Sequence, residues 1–143
     1  MARIPEWLHE HIDTAFPKNV CLVSTASKDG IPSIGPKGSV IVYDEDTLAY
    51  WERAKRGTYA NLQENPNVTI FFRNPKLREA GILPGGGAAR FWGKATIRET
   101  GPERDKVWQT MVQAERDRDP EKAGFAVLVR VERAEHLNGK PLE

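Results

Sequence analysis

Residues 88–99 alternate without a break: Ala89, Phe91, Gly93, Ala95 and Ile97 fall on one side, and Arg90, Trp92, Lys94, Thr96 and Arg98 on the other. A period of two sustained over that length describes a long strand with two distinct faces. Such a strand cannot stand alone, because its backbone N–H and C=O groups need partners on both edges. The partners are legible as further short segments at 20–26, 31–34, 40–43, 47–51, 68–73 and 124–131, rich in β-branched, aliphatic and aromatic residues. Asp29-Gly30 marks a hairpin turn between the first two. Pro32 assigns 31–34 to an edge or a short pairing, and Gly35-Pro36-Lys37-Gly38-Ser39 interrupts the pattern before it resumes at Val40. The acidic tip Asp44-Glu45-Asp46 then turns the chain into the 47–51 strand. Strands do not alternate with crossover helices, so the pattern predicts an antiparallel β-barrel of six or seven strands with added helices.

The helices follow from a different period. Ile4, Leu8, Ile12 and Phe16 recur every four residues with Trp7 beside them, which predicts an amphipathic first helix with Pro5 in its first turn. His9 and His11 lie two apart, so they point to different sides and read as solvent-facing residues, not as a metal pair. Thr100 and Glu103 have the spacing of a capping box, and Val107, Trp108, Met111 and Val112 give the following helix its apolar stripe. Residues 115–122 are a charge run, read as a solvated face and loop, and 132–143 as an edge segment followed by a loose terminus. The longest irregular stretch is 74–87, with Pro75, Pro84 and Gly85-Gly86-Gly87. It reads as a lid or as a plain surface loop, and without Gly-Lys-Ser/Thr it is no P-loop.

Composition narrows the function more than the fold. The chain of 143 residues has no internal repeat or low-complexity tract, and one domain over 1–143 is expected. A formal net charge of +1 offers no global attraction to nucleic acid or to an anionic membrane. The one cysteine, Cys21, lies in the apolar run Val20-Cys21-Leu22-Val23 and reads as an inert core thiol; an internal disulfide is impossible, which suits a reducing cytoplasm. No apolar run approaches the roughly 20 residues of a membrane-spanning helix. Glu6, His9, Glu10 and His11 interrupt any signal-peptide pattern, so the expected location is cytoplasmic.

Chemistry concentrates at residues 48–62. Residues 47–51 read as a buried strand and 58–64 as a short helix closed by Asn65-Pro66, since a residue before proline avoids the α region. Between them stand Arg53, Lys55 and Arg56, then Gly57 and the Thr58 hydroxyl. A helix N-terminus with cations and a hydroxyl beside it suits a phosphate; the same residues also describe a solvated basic turn. No Gly-x-Ser-x-Gly elbow, His-Glu-x-x-His or paired-cysteine metal spacing occurs. With no convincing protein nucleophile or acid–base pair, an enzyme built on this chain would need a bound cofactor to carry its reaction. Trp51 and Trp92 with nearby cations could form a stacking platform for single-stranded nucleic acid, which the near-neutral charge disfavours.

Taken in order, these parts resemble the flavin-binding split barrel of the pyridoxamine 5′-phosphate oxidase-like family, and most of all its small stand-alone FMN-binding members. The resemblance rests on the Asp-Gly hairpin, Gly-Pro-Lys-Gly-Ser before a strand, and the strand–basic turn–helix ending Thr58-Tyr59-Ala60-Asn61-Leu62. Asn65-Pro66-x-Val68 and the glycine-rich lead into Phe91-Trp92-Gly93-Lys94-Ala95 complete it. It implies a homodimer with FMN in grooves at the subunit interface. Pro36, Lys37, Gly38 and Ser39 would run along the ring and ribityl chain, the Ser39 hydroxyl contributing. Trp51, Glu52, Lys55, Arg56, Gly57 and Thr58 would reach from the ring to the phosphate. Trp51 reads equally as a core aromatic, and Lys37 as a surface lysine. The chain lacks the C-terminal Arg-x-His element with which the true oxidases hold their substrate, so that activity is not expected. Small relatives bind FMN, deazaflavin coenzymes or haem; the compact basic turn favours FMN, with hydride or electron transfer at N5. A flavoenzyme, an FMN-carrying electron-transfer or storage protein, and a cofactor-free barrel binding nucleic acid or protein are the three readings. The redox partner, a small molecule or a protein, is unspecified. The 80–87 loop is expected to govern access to the cofactor.

Overall fold

The computed structural model describes residues 2–143. In chain order the elements are α1 (Glu6–Asp13), β1 (Cys21–Ala26), β2 (Pro32–Lys37), β3 (Ile41–Asp44), β4 (Thr47–Glu52) and α2 (Gly57–Glu64). There follow β5 (Asn67–Arg73), α3 (Pro75–Glu79), β6 (Ala88–Arg98), α4 (Pro102–Thr110), α5 (Gln113–Arg116) and β7 (Phe125–His136). The strands form one seven-stranded sheet in the order β2-β1-β5-β6-β7-β4-β3, and every pairing is antiparallel. The sheet curls into a split barrel with α1 against its inside, so that Leu8 and Ile12 join Val23, Leu48, Tyr50, Ile70, Phe72, Phe91, Val127 and Val129 in the main core.

All six residues of β4 are buried, because it is covered on both faces. Leu48 and Tyr50 face the barrel interior, while Ala49 and Trp51 lie in a second cluster with Ile41, Ala126, Leu128, Val107 of α4 and Met111 just past its end. This is why 47–51 reads as unbroken apolar sequence and not as an alternation. β6 does alternate, as its sequence requires: Ala89, Phe91 and Gly93 are buried and Arg90 and Trp92 half-buried. The register against β7 shifts between Trp92 and Gly93. A Cβ at position 93 would lie 2.2 Å from the Arg130 carbonyl, so this bulge admits only glycine.

Several expectations are corrected. Pro5 stands just ahead of α1 as its N-cap, and Ile4 and Phe16 lie outside the helix although Ile4 still enters the core. His9 and His11 are half-buried, and His9 Nε2 donates to the Ile4 carbonyl at 2.8 Å. Residues 35–37 continue β2. β2 is an edge strand, and Pro32 and Pro36, an even number apart, turn their missing N–H groups to its open side. The Thr100–Glu103 capping box does not form. Gly101, at φ 99°, caps α4 with Pro102 behind it, and Glu103 instead binds Arg98 Nε at 2.7 Å. Met111 and Val112 lie past the end of α4, which Arg116 closes by donating to the carbonyls of Trp108, Gln109 and Met111. The 74–87 stretch holds α3, capped by the Asn74 side chain, and buries Leu83. Its glycine at 87 packs so tightly that a Cβ would meet the Asn74 carbonyl at 2.2 Å.

The C-terminus is the largest difference. The last strand runs on to His136, a tight turn follows, and Leu142 returns to donate its N–H to Ala134 at 3.0 Å while burying its side chain. Trp7 Nε1 binds the Glu143 carbonyl at 3.0 Å. The tail is part of the core. Leu142→Ala should therefore lower the stability by about 2–3 kcal/mol, read as a lower denaturant midpoint at unchanged slope; an unchanged midpoint would mean a loose tail.

Candidate functional site

One recess of about 940 Å³ collects most of the residues singled out by sequence. Its first wall is the end of β2 and the turn after it: Pro36, Lys37, Gly38 and Ser39. Its second is the end of β4 and the start of α2: Trp51, Glu52, Arg53, Ala54, Arg56, Gly57 and Thr58. A third wall, Glu115, Arg118 and Asp119, comes from α5 and the turn behind it. Phe16, Pro17, Val20 and Ser33 complete the lining. α2 is fixed to the barrel by buried Leu62 and by two amides, Asn61 Nδ2 to Thr25 Oγ1 at 3.0 Å and Asn65 Nδ2 to the Ser27 carbonyl at 3.1 Å.

Of the ten expected cofactor-binding residues, nine line this recess and Lys55 does not. Its ammonium lies 2.6 Å from Glu99 Oε1, outside the recess. Four others are committed within the protein, Ser39 and Trp51 by hydrogen bonds and Lys37 and Glu52 by an ion pair. Ser39 Oγ accepts the Trp51 N–H at 2.9 Å and donates to the Trp51 carbonyl at 3.3 Å, so it joins the two walls and leaves little capacity for a ligand. The Trp51 indole is 4% exposed, packs 4.9 Å from Trp108, and donates Nε1–H to Asp119 at 2.8 Å. Trp51 is therefore a core aromatic that also backs the recess. Lys37 Nζ lies 2.7 Å from Glu52 Oε1, out of line for a well-directed hydrogen bond, so the contact is an ion pair.

The third wall is what sequence reasoning missed. Within the presumed solvated charge run, Asp119 is 8% exposed and accepts three hydrogen bonds, from Trp51 Nε1, the Ala123 N–H at 3.0 Å and the Gly124 N–H at 2.8 Å. The only signal for it is the Asp119-Pro120 step, a short acid in a turn context that can bond to the backbone just ahead. A Cβ on Gly124 would meet the Glu52 carbonyl at 2.2 Å and Trp51 Nε1 at 2.6 Å. Likewise, one on Gly38 would meet Phe16 at 2.7 Å and Glu115 at 2.8 Å. These two glycines let the third wall close on the others. Arg104 reinforces it, donating to the Lys122 and Gly124 carbonyls with its guanidinium 5.0 Å over the Trp51 ring.

Other expected features are placed elsewhere. The 80–87 loop does not border the recess of its own chain; Gly85 and Gly86 pack toward Leu137. The stacking platform of Trp51 and Trp92 does not form, since Trp51 is buried and Trp92 lies under Arg133 at 3.8 Å and Arg90 at 5.5 Å. Cys21 is buried, and burial pushes its thiol up to about 12, so it stays protonated. Among the described residues no cluster of three metal-ligating side chains occurs, and no helix is long and apolar enough to cross a membrane.

The fold defines a class, the split-barrel proteins. A family model described as pyridoxamine 5′-phosphate oxidase matches residues 8–137, and the chain belongs to that family, one of flavin-binding, oxidoreductase type. HupZ from Group A Streptococcus shares the fold with a TM-score of 0.68 at 23% identity, covering 94% of this chain and 98% of that one. A candidate pyridoxamine 5′-phosphate oxidase from Lactobacillus delbrueckii gives 0.64 at 24%, covering 94% and 99%. An FMN-binding protein from Syntrophomonas wolfei gives 0.64 at 14%, covering 90% and 85%. No curated protein sequence matches the chain.

Asp119 sets a pH dependence. Burial alone pushes its carboxyl up, but the bonds from Trp51, Ala123 and Gly124 and the Arg104 charge outweigh it and hold the group below the ordinary carboxylate range. A depressed folded value gives stability that is full above the unfolded value and lost as pH falls through the folded one. Asp119→Asn should thus cost about 2 kcal/mol near neutral pH, and the gap to wild type should narrow as acid protonates Asp119. A gap independent of pH would remove the carboxylate charge from the account.

Proposed function

We propose that the recess binds FMN with its phosphate at the start of α2, and that the protein uses the flavin in an oxidoreductase reaction. One observation carries this reading. The carboxylates of the recess are all engaged: Glu52 by Lys37, Glu115 by Arg118 at 3.2 Å, and Asp119 by its three donors. The guanidinium groups of Arg53 and Arg56 have no hydrogen bond or ion pair among the described residues, so the recess carries uncompensated positive charge at one end. At that same end the first intrahelical bond of α2 runs from Ala60 to the Arg56 carbonyl, leaving the earlier N–H groups free. Cations, free N–H groups and the Thr58 hydroxyl match a phosphate monoester.

In this reading Arg53, Arg56 and Thr58 hold the phosphate, while Pro36, Gly38 and Trp51 supply walls that exclude water. Lys37 keeps the Glu52 charge neutralised beside the ring. Bound flavin supplies hydride or single-electron chemistry at N5, which no side chain of the recess offers. In the same reading a second copy of the chain would cover the outer sheet face. Ile34, Ser24, Thr69, Trp92 and Arg133 form one cross-strand row, and Pro36, Leu22, Phe71, Arg90 and Glu135 the next. Leu22 and Ile34 are 37% and 67% exposed on it. This mixed face, apolar at Leu22, Ile34 and Phe71, continues from Pro36 of the recess wall, which supports a two-fold dimer whose contact borders the site.

Flavin fluorescence quenching tests the phosphate. Arg56→Ala should weaken FMN roughly ten- to hundredfold, Thr58→Val less, and neither should much affect riboflavin. Added salt should weaken FMN alone, and modestly. If Arg56→Ala binds FMN as tightly as wild type, or loses riboflavin equally, the basic turn is only a solvated surface. Sedimentation equilibrium at micromolar concentration should give a dimer, and Leu22→Glu a monomer; a monomeric wild type would refute the outer-face contact.

A further inference from the structure

We infer that Glu99 is an internal counter-ion that competes with the ligand phosphate for Lys55, and so sets how tightly the recess holds its anion. This rests on the phosphate reading above. Lys55 is the middle cation of the basic turn, and its neighbours Ala54 and Arg56 both line the recess. Its backbone is therefore at the rim, and only its side chain is turned out. Two contacts turn it, Glu99 Oε1 at 2.6 Å and the Tyr59 ring at 5.1 Å, and a long bond from Tyr59 Oη to Glu99 Oε2 at 3.5 Å joins those two partners. Tyr59 is itself braced on Phe125 at 5.2 Å, so the acceptor side of the cluster is anchored.

The cations thus sort by partner. The two without one line the recess, and the one with a partner lies outside it. Both ends of the Lys55–Glu99 pair are solvent-exposed, at 57% and 47% of their side chains, and exposed pairs are weak and exchangeable. The turn that carries Lys55 is equally unrestrained: residues 53–57 are all exposed, and its one internal backbone bond runs from Arg56 N–H to Ala54. A lysine ammonium on a flexible stem can leave a carboxylate for a phosphate by side-chain rotation alone. Glu99 then holds back the third cation of the turn until an anion arrives, and its strength subtracts from the affinity.

Titrating FMN and riboflavin into flavin-free protein by fluorescence quenching tests this on Glu99→Gln, Lys55→Ala and the double variant. Glu99→Gln should tighten FMN about two- to fivefold and leave riboflavin unchanged, a size set by the modest worth of an exposed pair. The gain should vanish in the double variant, where no ammonium remains to be released. An unchanged or weaker FMN affinity in Glu99→Gln overturns the inference, as does a gain that survives without Lys55, which would make Glu99 a long-range charge only. Wild-type protein that binds FMN no tighter than riboflavin overturns the phosphate reading itself. A preserved phosphate preference with an inert Glu99 overturns this inference alone.

Discussion

The pairing of β6 with β7 is the constraint on which the rest depends. β7 gives one edge to β4 along residues 125–130 and the other to β6 along 126–136, so it joins the β2-β1-β5-β6 part of the sheet to β4 and β3. The bulge at Gly93 lets the two long strands bend there without losing their ladder. Because β7 begins at Phe125, directly after Gly124, its position also fixes where the 113–124 segment must end. The third wall of the recess is thus placed by the pairing of β7 with β4 and not by its own sequence.

That explains which parts are legible without coordinates. Strand alternation, the Asp-Gly turn and the order of elements are local signals, and they give the sheet, its edge strand and the basic turn before α2. Residues 115–122 are not legible, since a charge run is usually solvated. What buries Asp119 is the indole N–H of Trp51, far away in sequence, together with the missing Cβ of Gly124. The capping box fails for a similar reason: Arg98, at the end of the preceding strand, competes for Glu103 and wins as a charged partner. The docked tail depends on Leu142 reaching Ala134, a contact no short window contains.

Of the candidate site, sequence shows which residues converge but not what each is free to do. Ser39 and Lys55 illustrate the limit. Both are donors of the right type in the right stretch, yet the Ser39 hydroxyl is consumed by the Trp51 backbone and the Lys55 ammonium by Glu99. Availability is a property of the whole constellation. Only after each carboxylate of the recess is matched with its partner do Arg53 and Arg56 stand out as the uncommitted pair.

Trp51 is held at both of its N–H groups, by Ser39 and by Asp119, and pressed between α4 and the sheet. A wall so fastened cannot rearrange on contact with a ligand, so that side of the recess keeps one shape whether filled or empty. The entropy lost on ordering would then fall on residues 53–57, the short exposed turn that follows it in the chain. Under the proposed reading the site would combine an anvil with a hinge: the flavin ring would meet a surface already set, and the phosphate would be gathered in by the part still able to move.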